Sequence, residues 1–366
     1  MSDVSTLTVP RRRWRIGGAV LRLREHGTTD QVYGLPVPPV KCRMGTSGDL
    51  QLQLHDSSGT VSREHSELVP VEVNGEVVWT AYDLRSKNGL CLGGELLSEC
   101  VLEPGLEVRL GSLRLIPESL ELIGLLSFVR RCLGWAAEQQ EHVDQALQSL
   151  RDWAAQRAEL LIVGDGDLQP VVRRLHNLVI GADVPFIWYK PADGAADDAA
   201  DDAADDAAVV KSAGTGTLCV CVDTIERLAE AMAVIERVHA TEYIARPQLV
   251  LCTADPLCVA ALVGRIERPA VIHVPPLTSR ASELEDIVQE YAWEIAREQR
   301  LSGPGFRMLD LEQLVRWPFP SLAEVEDDVL RLMMLRTWGL RAGAARLGIH
   351  HKSLAVWAQR RGISTT

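Results

Sequence analysis

At 366 residues the chain is long enough to bury more than one core, and two or three domains are expected rather than one compact fold. The net charge of −12 would argue against a nucleic-acid partner if it were spread evenly, but the run GAADDAADDAADDAA at 194–208 holds six aspartates, half of that charge. Charge is therefore read region by region. The eight cysteines show no C-x-x-C pair, and neither a charged-then-apolar leader nor an apolar run of the ~20 residues a membrane helix needs occurs, which points to a reduced, cytoplasmic protein with no membrane partner.

Residues 1–11 read as a tail. From 12 to 117 come short strands, AVLRLRE, DLQLQLHD, ELVPVEV, EVVWTAYDL and LEVRLGSLRLI, split by TSG, SSG, NG and EPG. That spacing predicts an all-β sandwich. The same segment carries, in order, MGTSGDL, VSREHSEL, YDLRSKNGL and LGGELL. It resembles the forkhead-associated (FHA) family, whose pattern is a Gly-Arg pair, S-x-x-H, S-x-N-G-T and N-G.

The resemblance implies a phosphothreonine-peptide site on the loops at one end of the sandwich. A phosphate dianion needs several converging donors, and an asparagine can clamp the neighbouring main chain. By position, Ser62 and Arg63 meet the phosphate, Lys87 approaches it from the next loop and Asn88 holds the peptide backbone, while His65 and Ser86 brace the loops. The family's Gly-Arg pair reads Gly45-Thr46 here, so a principal phosphate contact is missing unless Arg43 or Arg63 replaces it. The alternative is a fold that survives with its phosphate binding weakened or lost.

Residues 118–158 change to apolar positions at spacings of three and four, a connector helix or helical hairpin with one face that could pair with a second copy. From 159 to 280 apolar runs (ELLIVG, PFIWYK, TLCVCVD, PQLVLCTA, AVIHVPP) alternate with helical stretches, predicting an α/β domain with a mostly parallel sheet. Cys219 and Cys221 share one strand face, and core thiols are a better reading than a metal site. The acidic insert at 193–208 reads as disordered, because aspartates stacked at i and i+4 repel one another in a helix. Residues 281–320 are expected to form a helical lid.

The α/β region resembles the AAA+ ATPase domain of sigma-54-dependent activators, through VPPLTSR and RWPFPSLAEVE in the right order. The chemistry departs from that family. A phosphate loop needs clustered backbone donors and a lysine, and GDGDLQPVV offers Asp165, Asp167 and Pro170 instead. Only Asp223, followed by Thr224, stands where the family has an Asp-Glu pair, Ala323 aligns with the sensor arginine, and no G-A-F-T-G-A loop occurs. The expectation is a degenerate AAA+-like core without ATPase activity, with no cofactor, no metal and no catalytic residue. The aspartate run lies where an active relative carries its sigma-54 contact loop.

Residues 321–366 predict three helices, opening with Ser321 and Glu324 as a capping box and broken near Trp338 and Gly348. Gly343, Ala344 and Leu354 suit the close packing of a helix-turn-helix, and the segment resembles the Fis-type DNA-binding domain of the same activators, with His350-His351 where that family usually has Ser-Arg. From 338 onward there are five basic residues and no acid, the electrostatic footprint of double-stranded DNA binding. His351, Lys352, Ser353, Gln359 and Arg360, with Ala355 on the same face, are the candidates for the groove. Val325, Val329, Leu332, Met333 and Leu335 are offered as a homodimer contact. The alternative is a solvated basic helix in a small bundle.

The whole reads as a multidomain, nucleoid-associated bacterial regulator that docks a phosphothreonine protein, binds DNA and partners activators of the same family. Two alternatives stand beside it: a phosphopeptide adaptor with a vestigial DNA-binding end, and a sigma-54 activator with residual ATP binding.

Overall fold

A computed structural model describes residues 14–365 apart from 74, 167, 192–206, 244, 267–268 and 304. The expected N-terminal tail and the aspartates of the acidic insert fall outside the described residues. Residues 207 and 208, assigned above to the disordered insert, begin a described helix over 207–213. The chain forms two compact units: 1–162 with 173–272, and 163–172 with 273–366.

In the first unit, among the described residues, the N-terminal sandwich is built from two facing sheets of short strands: β1 (Arg22–Glu25), β2 (Val32–Gly34), β3 (Cys42–Gly45), β4 (Leu52–Gln53), β5 (Ser66–Val73), β6 (Glu76–Asp83), β7 (Leu90–Leu92), β8 (Glu95–Leu97), β9 (Glu99–Val101), β10 (Val108–Leu110) and β11 (Leu113–Glu118). One sheet has the order β2-β1-β11-β10-β7-β8 and the other β4-β3-β5-β6-β9. The β5–β6 hairpin is in register from Ser66↔Asp83 to Val73↔Glu76. Period-two alternation sends Leu23, Met44, Leu68, Trp79, Leu90, Leu110 and Leu115 into the core between the sheets, each at most 2% exposed.

The connector is a hairpin of α1 (Leu120–Leu133), capped by Ser119, and α2 (Gln140–Gln156). Leu122, Leu125, Val129, Val143, Leu147, Leu150 and Trp153 are all buried. The apolar face expected to meet a second copy is therefore consumed inside one copy. Beneath it, Arg24 on β1 donates to both carboxylate oxygens of Asp144 on α2, at 2.5 and 3.0 Å, and to Glu118 at 2.6 Å.

The α/β part contains β12 (Leu160–Gly164), α3 (Gln169–His176), β13 (Phe186–Tyr189), α4 (207–213), β14 (Thr217–Cys221), α5 (Leu228–Ala240), β15 (Gln248–Thr253), α6 (Pro256–Val263) and β16 (Ala270–Val274). Its sheet has the order β13-β14-β15-β12-β16, with β13, β14 and β15 parallel. Cys219 is buried as expected, 3.4 Å from the Cys252 sulfur on the next strand, whereas Cys221 is only half-buried at the strand end. Among the described residues no cluster suited to a metal ion occurs, and no helix is long and apolar enough to cross a membrane.

The second unit holds α7 (Leu284–Glu298), α8 (Met308–Val315), α9 (Leu322–Arg346) and α10 (His351–Arg360). Ser321 Oγ caps α9 by accepting from Glu324 N–H at 3.3 Å. Gly339, at φ 74°, breaks α9 into two helices just after Trp338. A Cβ on Gly343 would lie 2.6 Å from Met334 O, so only glycine allows the two arms to pack this closely. Val325, Val329, Leu332, Met333 and Leu335, expected at a dimer contact, are at most 3% exposed. They pack α9 against α7 and α10 within one copy, which corrects that expectation.

Candidate functional site

The site at one end of the sandwich is built from the segments joining β3 to β4 (46–51), β4 to β5 (54–65) and β6 to β7 (84–89). Gly45 ends β3 where a Cβ would lie 2.1 Å from Arg63 O, so the first two segments touch backbone to backbone. Thr46 N–H donates to Ser62 O at 3.2 Å and Ser47 N–H to Arg63 O at 3.1 Å. Asp56 pins the middle segment by accepting from Ser58 N–H at 3.0 Å and Val61 N–H at 2.6 Å.

His65, fully buried, joins all of this. Its Nδ1 accepts from Ser62 N–H at 3.1 Å, which leaves the proton on Nε2, 3.0 Å from Gly89 O and 2.9 Å from Ser86 Oγ. Burial pushes its pKa below the usual imidazole value, so the neutral form is favoured. Ser86 Oγ donates to Asp83 at 2.6 Å and accepts from Gly89 N–H at 2.9 Å. His65 and Ser86 thus hold the loops, as their motif positions imply.

The four candidate residues come together on this frame. Ser62 Oγ accepts from Lys87 N–H at 2.9 Å, and Asn88 Nδ2 donates to Thr60 O at 2.7 Å. Ser62 is half-buried, and Arg63, Lys87 and Asn88 are exposed. Arg43, one of the two replacements considered for the missing arginine, is ion-paired with Glu64 at 2.6 Å and Glu67 at 3.5 Å, while Lys41 pairs with Glu67 at 2.7 Å. Among the described residues Arg63 has no such partner. Sequence reasoning passed over Arg85, exposed at φ 60° between Asp83 and Ser86; the motif contains it, but no residue pattern reveals its backbone conformation.

Two further regions were expected to carry chemistry. On α10, Lys352, Ser353, Gln359 and Arg360 are exposed and His351 and Ala355 half-buried, with the unanticipated Val356 47% exposed among them. His350 is the helix cap, its Nδ1 accepting from Lys352 N–H at 3.3 Å. The helix is locked to α9 by Trp357 Nε1 donating to buried Asp328 at 2.6 Å and by Arg361, 2.7 Å from the same carboxylate. A groove of about 770 Å³ between them mixes Glu324 and Asp327 with Lys352 and Arg360. In the α/β part, Asp223 is ion-paired with Lys190 and accepts from Cys221 at 2.9 Å, and those bonds hold its carboxyl below the usual range. Within the second unit, a Cβ on Gly166 would lie 3.2 Å from Ser321 Cβ and 3.3 Å from Pro320 O, so the turn after β12 is covered by the start of α9.

This sandwich, with a buried S-x-x-H histidine under an S-x-N-G turn, defines a class: residues 42–111 match the FHA domain family model, and the chain carries an FHA domain. Among solved structures, an FHA domain studied for phosphothreonine-dependent interactions is 26% identical over 27% of this chain and 94% of its own, with a TM-score of 0.23. The yeast Dun1 FHA domain, in complex with a doubly phosphorylated peptide, is 18% identical over 28% and 75%, with a TM-score of 0.23. NtrX from Brucella abortus, in complex with ATP, is 15% identical over 66% and 73%, with a TM-score of 0.36. These scores are low, and the assignment rests on the family match. No curated protein matches the chain.

Proposed function

We propose that this protein is a phosphothreonine-dependent regulator that docks a phosphorylated protein through Ser62, Arg63, Lys87 and Asn88. The carrying observation is the bonded frame of Ser62, His65, Ser86 and Asn88, which sets exposed Arg63 and Lys87 on adjoining loops. Arg63 supplies the guanidinium that Thr46 cannot, because Arg43 is already neutralised by Glu64 and Glu67. Asn88 Oδ1 accepts from the peptide main chain. Titration of the full chain with phosphothreonine peptides tests this: wild type binds in preference to unphosphorylated controls, and Thr46→Arg, which restores the family's arginine, raises affinity about tenfold, a charge-assisted bond being worth roughly 1.5–3 kcal/mol. Equal binding of phosphorylated and unphosphorylated peptides rejects the reading.

The C-terminal helices are proposed to bind double-stranded DNA through His351, Lys352, Ser353, Gln359 and Arg360, supported by a terminal segment with five basic residues and no acid. One observation favours the second reading, an adaptor with a vestigial DNA-binding end. Glu324 and Asp327 share a groove with Lys352 and Arg360 and would repel phosphate there. A salt-dependent gel shift separates the two. The α/β part is proposed to scaffold these ends without hydrolysing ATP: its remaining carboxylate is neutralised by Lys190 and its Gly166 turn is covered by Pro320 and Ser321.

A further inference from the structure

On the sheet β4-β3-β5-β6-β9, one face fills the core and the other points away from it. The register sets the outward residues in rows: Arg43↔Glu67↔Tyr82↔Glu99, then Val69↔Thr80↔Val101, then Val71↔Val78, then Val73↔Glu76. An antiparallel sheet with one face in water ordinarily carries polar side chains there. Here Val71, Val73, Tyr82 and Val101 are each between 36 and 45% exposed, and Val69, Val78 and Thr80 lie half-buried beside them. Single apolar residues are common on a surface, whereas a contiguous aliphatic patch rimmed by charge marks a place where another surface sits.

The face is complementary to itself. Its apolar centre lies on β5 and β6, with β3 on one side and β9 on the other. Arg43 on β3 and Glu99 on β9 stand at the two ends of one row, and Glu99 is exposed with no ion-pair partner among the described residues. Two copies can stack these faces about a two-fold axis in two ways. An axis across the strands lays β3 on β3 and β9 on β9, like charge against like. An axis along the strands, on the midline between β5 and β6, lays β3 on β9, so that Arg43 of each copy meets Glu99 of the other in the same row. Charge selects the second arrangement. In it the strands of both copies run the same way, and both sets of loops at 54–65 and 84–89 lie at one end.

Size sets the strength of the contact. β5 and β6 are each 8 residues long, about 26 Å at ~3.3 Å per residue, and β3, β5, β6 and β9 together span about 19 Å at ~4.8 Å per strand. A face of at most about 500 Å² per copy falls below the ~800 Å² of a standard interface and in the range of weak, reversible association. We infer that this sheet face docks a second copy of the chain in a reversible dimer, with the strands of the two copies parallel and their loop ends side by side. Docking there is independent of what the loops bind.

Sedimentation equilibrium of the full chain between about 1 and 300 µM is the test. Wild type is expected to pass from monomer to dimer with a dissociation constant of roughly tens of micromolar. Val71→Lys, at an outward position, is expected to stay monomeric throughout and, at concentrations where wild type is also monomeric, to melt within about 2 °C of it. Glu99→Lys sets a cation opposite Arg43 at both symmetric contacts and is expected to raise the dissociation constant about tenfold. With β3 laid on β3 it would leave the constant unchanged, because lysine would then face lysine as glutamate had faced glutamate. Glu99 lies on the rim, so this variant carries the test even if Val71→Lys fails to fold. A wild type that is monomeric across the range, or a Val71→Lys variant that dimerises as strongly as wild type, overturns the inference. An unchanged constant for Glu99→Lys overturns the parallel arrangement.

Discussion

At the scale of single residues, His65 carries the frame of the loops because both its ring nitrogens are committed. Protonation of Nδ1 would turn the acceptor for Ser62 N–H into a second donor and push Ser62 away from Lys87. Burial holds its folded pKa below the ordinary 6.5. The sign follows from that depression: the stabilising contribution is full above 6.5 and is lost as pH falls through the folded value, since the unfolded chain takes up the proton first. Melting temperature is expected to fall as pH drops below about 6.5. His26 and His176, also depressed by burial, titrate in the same direction. The share of His65 is read as the difference in slope between wild type and His65→Gln; identical slopes would show that its protonation does not matter. The histidine and its S-x-x-H spacing were legible in sequence. The pairing of Arg43 with Glu64 and the backbone of Arg85 were not, because both depend on how two strands and a loop are brought together.

At the scale of elements, the C-terminal helices show how periodicity informs and misleads. The apolar positions of α9 were readable, and so was the break near Trp338. Their partner was not: a stripe of valine, leucine and methionine buries equally well against another copy or against neighbouring helices, and here it meets α7 and α10. The lock of Trp357 and Arg361 onto Asp328 fixes which face of α10 is left outside. On that face Lys352 and Arg360 are one turn either side of Val356. If α10 enters a groove of DNA, Lys352→Ala and Arg360→Ala each weaken binding across sequences and reduce the salt slope by about one unit. A full chain that gives no shift at low salt rejects the DNA reading of α10.

At the scale of the whole molecule, the first unit is more than a sandwich on a tether. Arg24, Glu118 and Asp144 form a buried ionic cluster between β1, β11 and α2, and Gly27 N–H adds a bond of 2.7 Å to Asp144. Truncating one partner of such a cluster costs roughly 3–5 kcal/mol, because the other charge is left buried and uncompensated. In the α/β part, strands alternate with helices, Asp223 is engaged by Lys190, and the Gly166 turn is covered by Pro320 and Ser321. A coupled assay on the full chain is accordingly expected to stay at the background rate of ATP turnover; sustained hydrolysis above it would refute the scaffold reading.

The amino-acid sequence by itself determined the local grammar: which stretches alternate with period two or near four, where turns fall, and which ordered motif stands on the sandwich loops. It also determined that GDGDLQPVV contains no lysine and that Thr224, not glutamate, follows Asp223, since those are facts of residue identity. Only the tertiary structure decided which cations are already paired, which apolar stripes are already covered, and that Arg85 stands at positive φ in the β6–β7 loop. Those properties belong to contacts between residues far apart in the chain, and hydrophobic periodicity, being blind to the partner, cannot specify them.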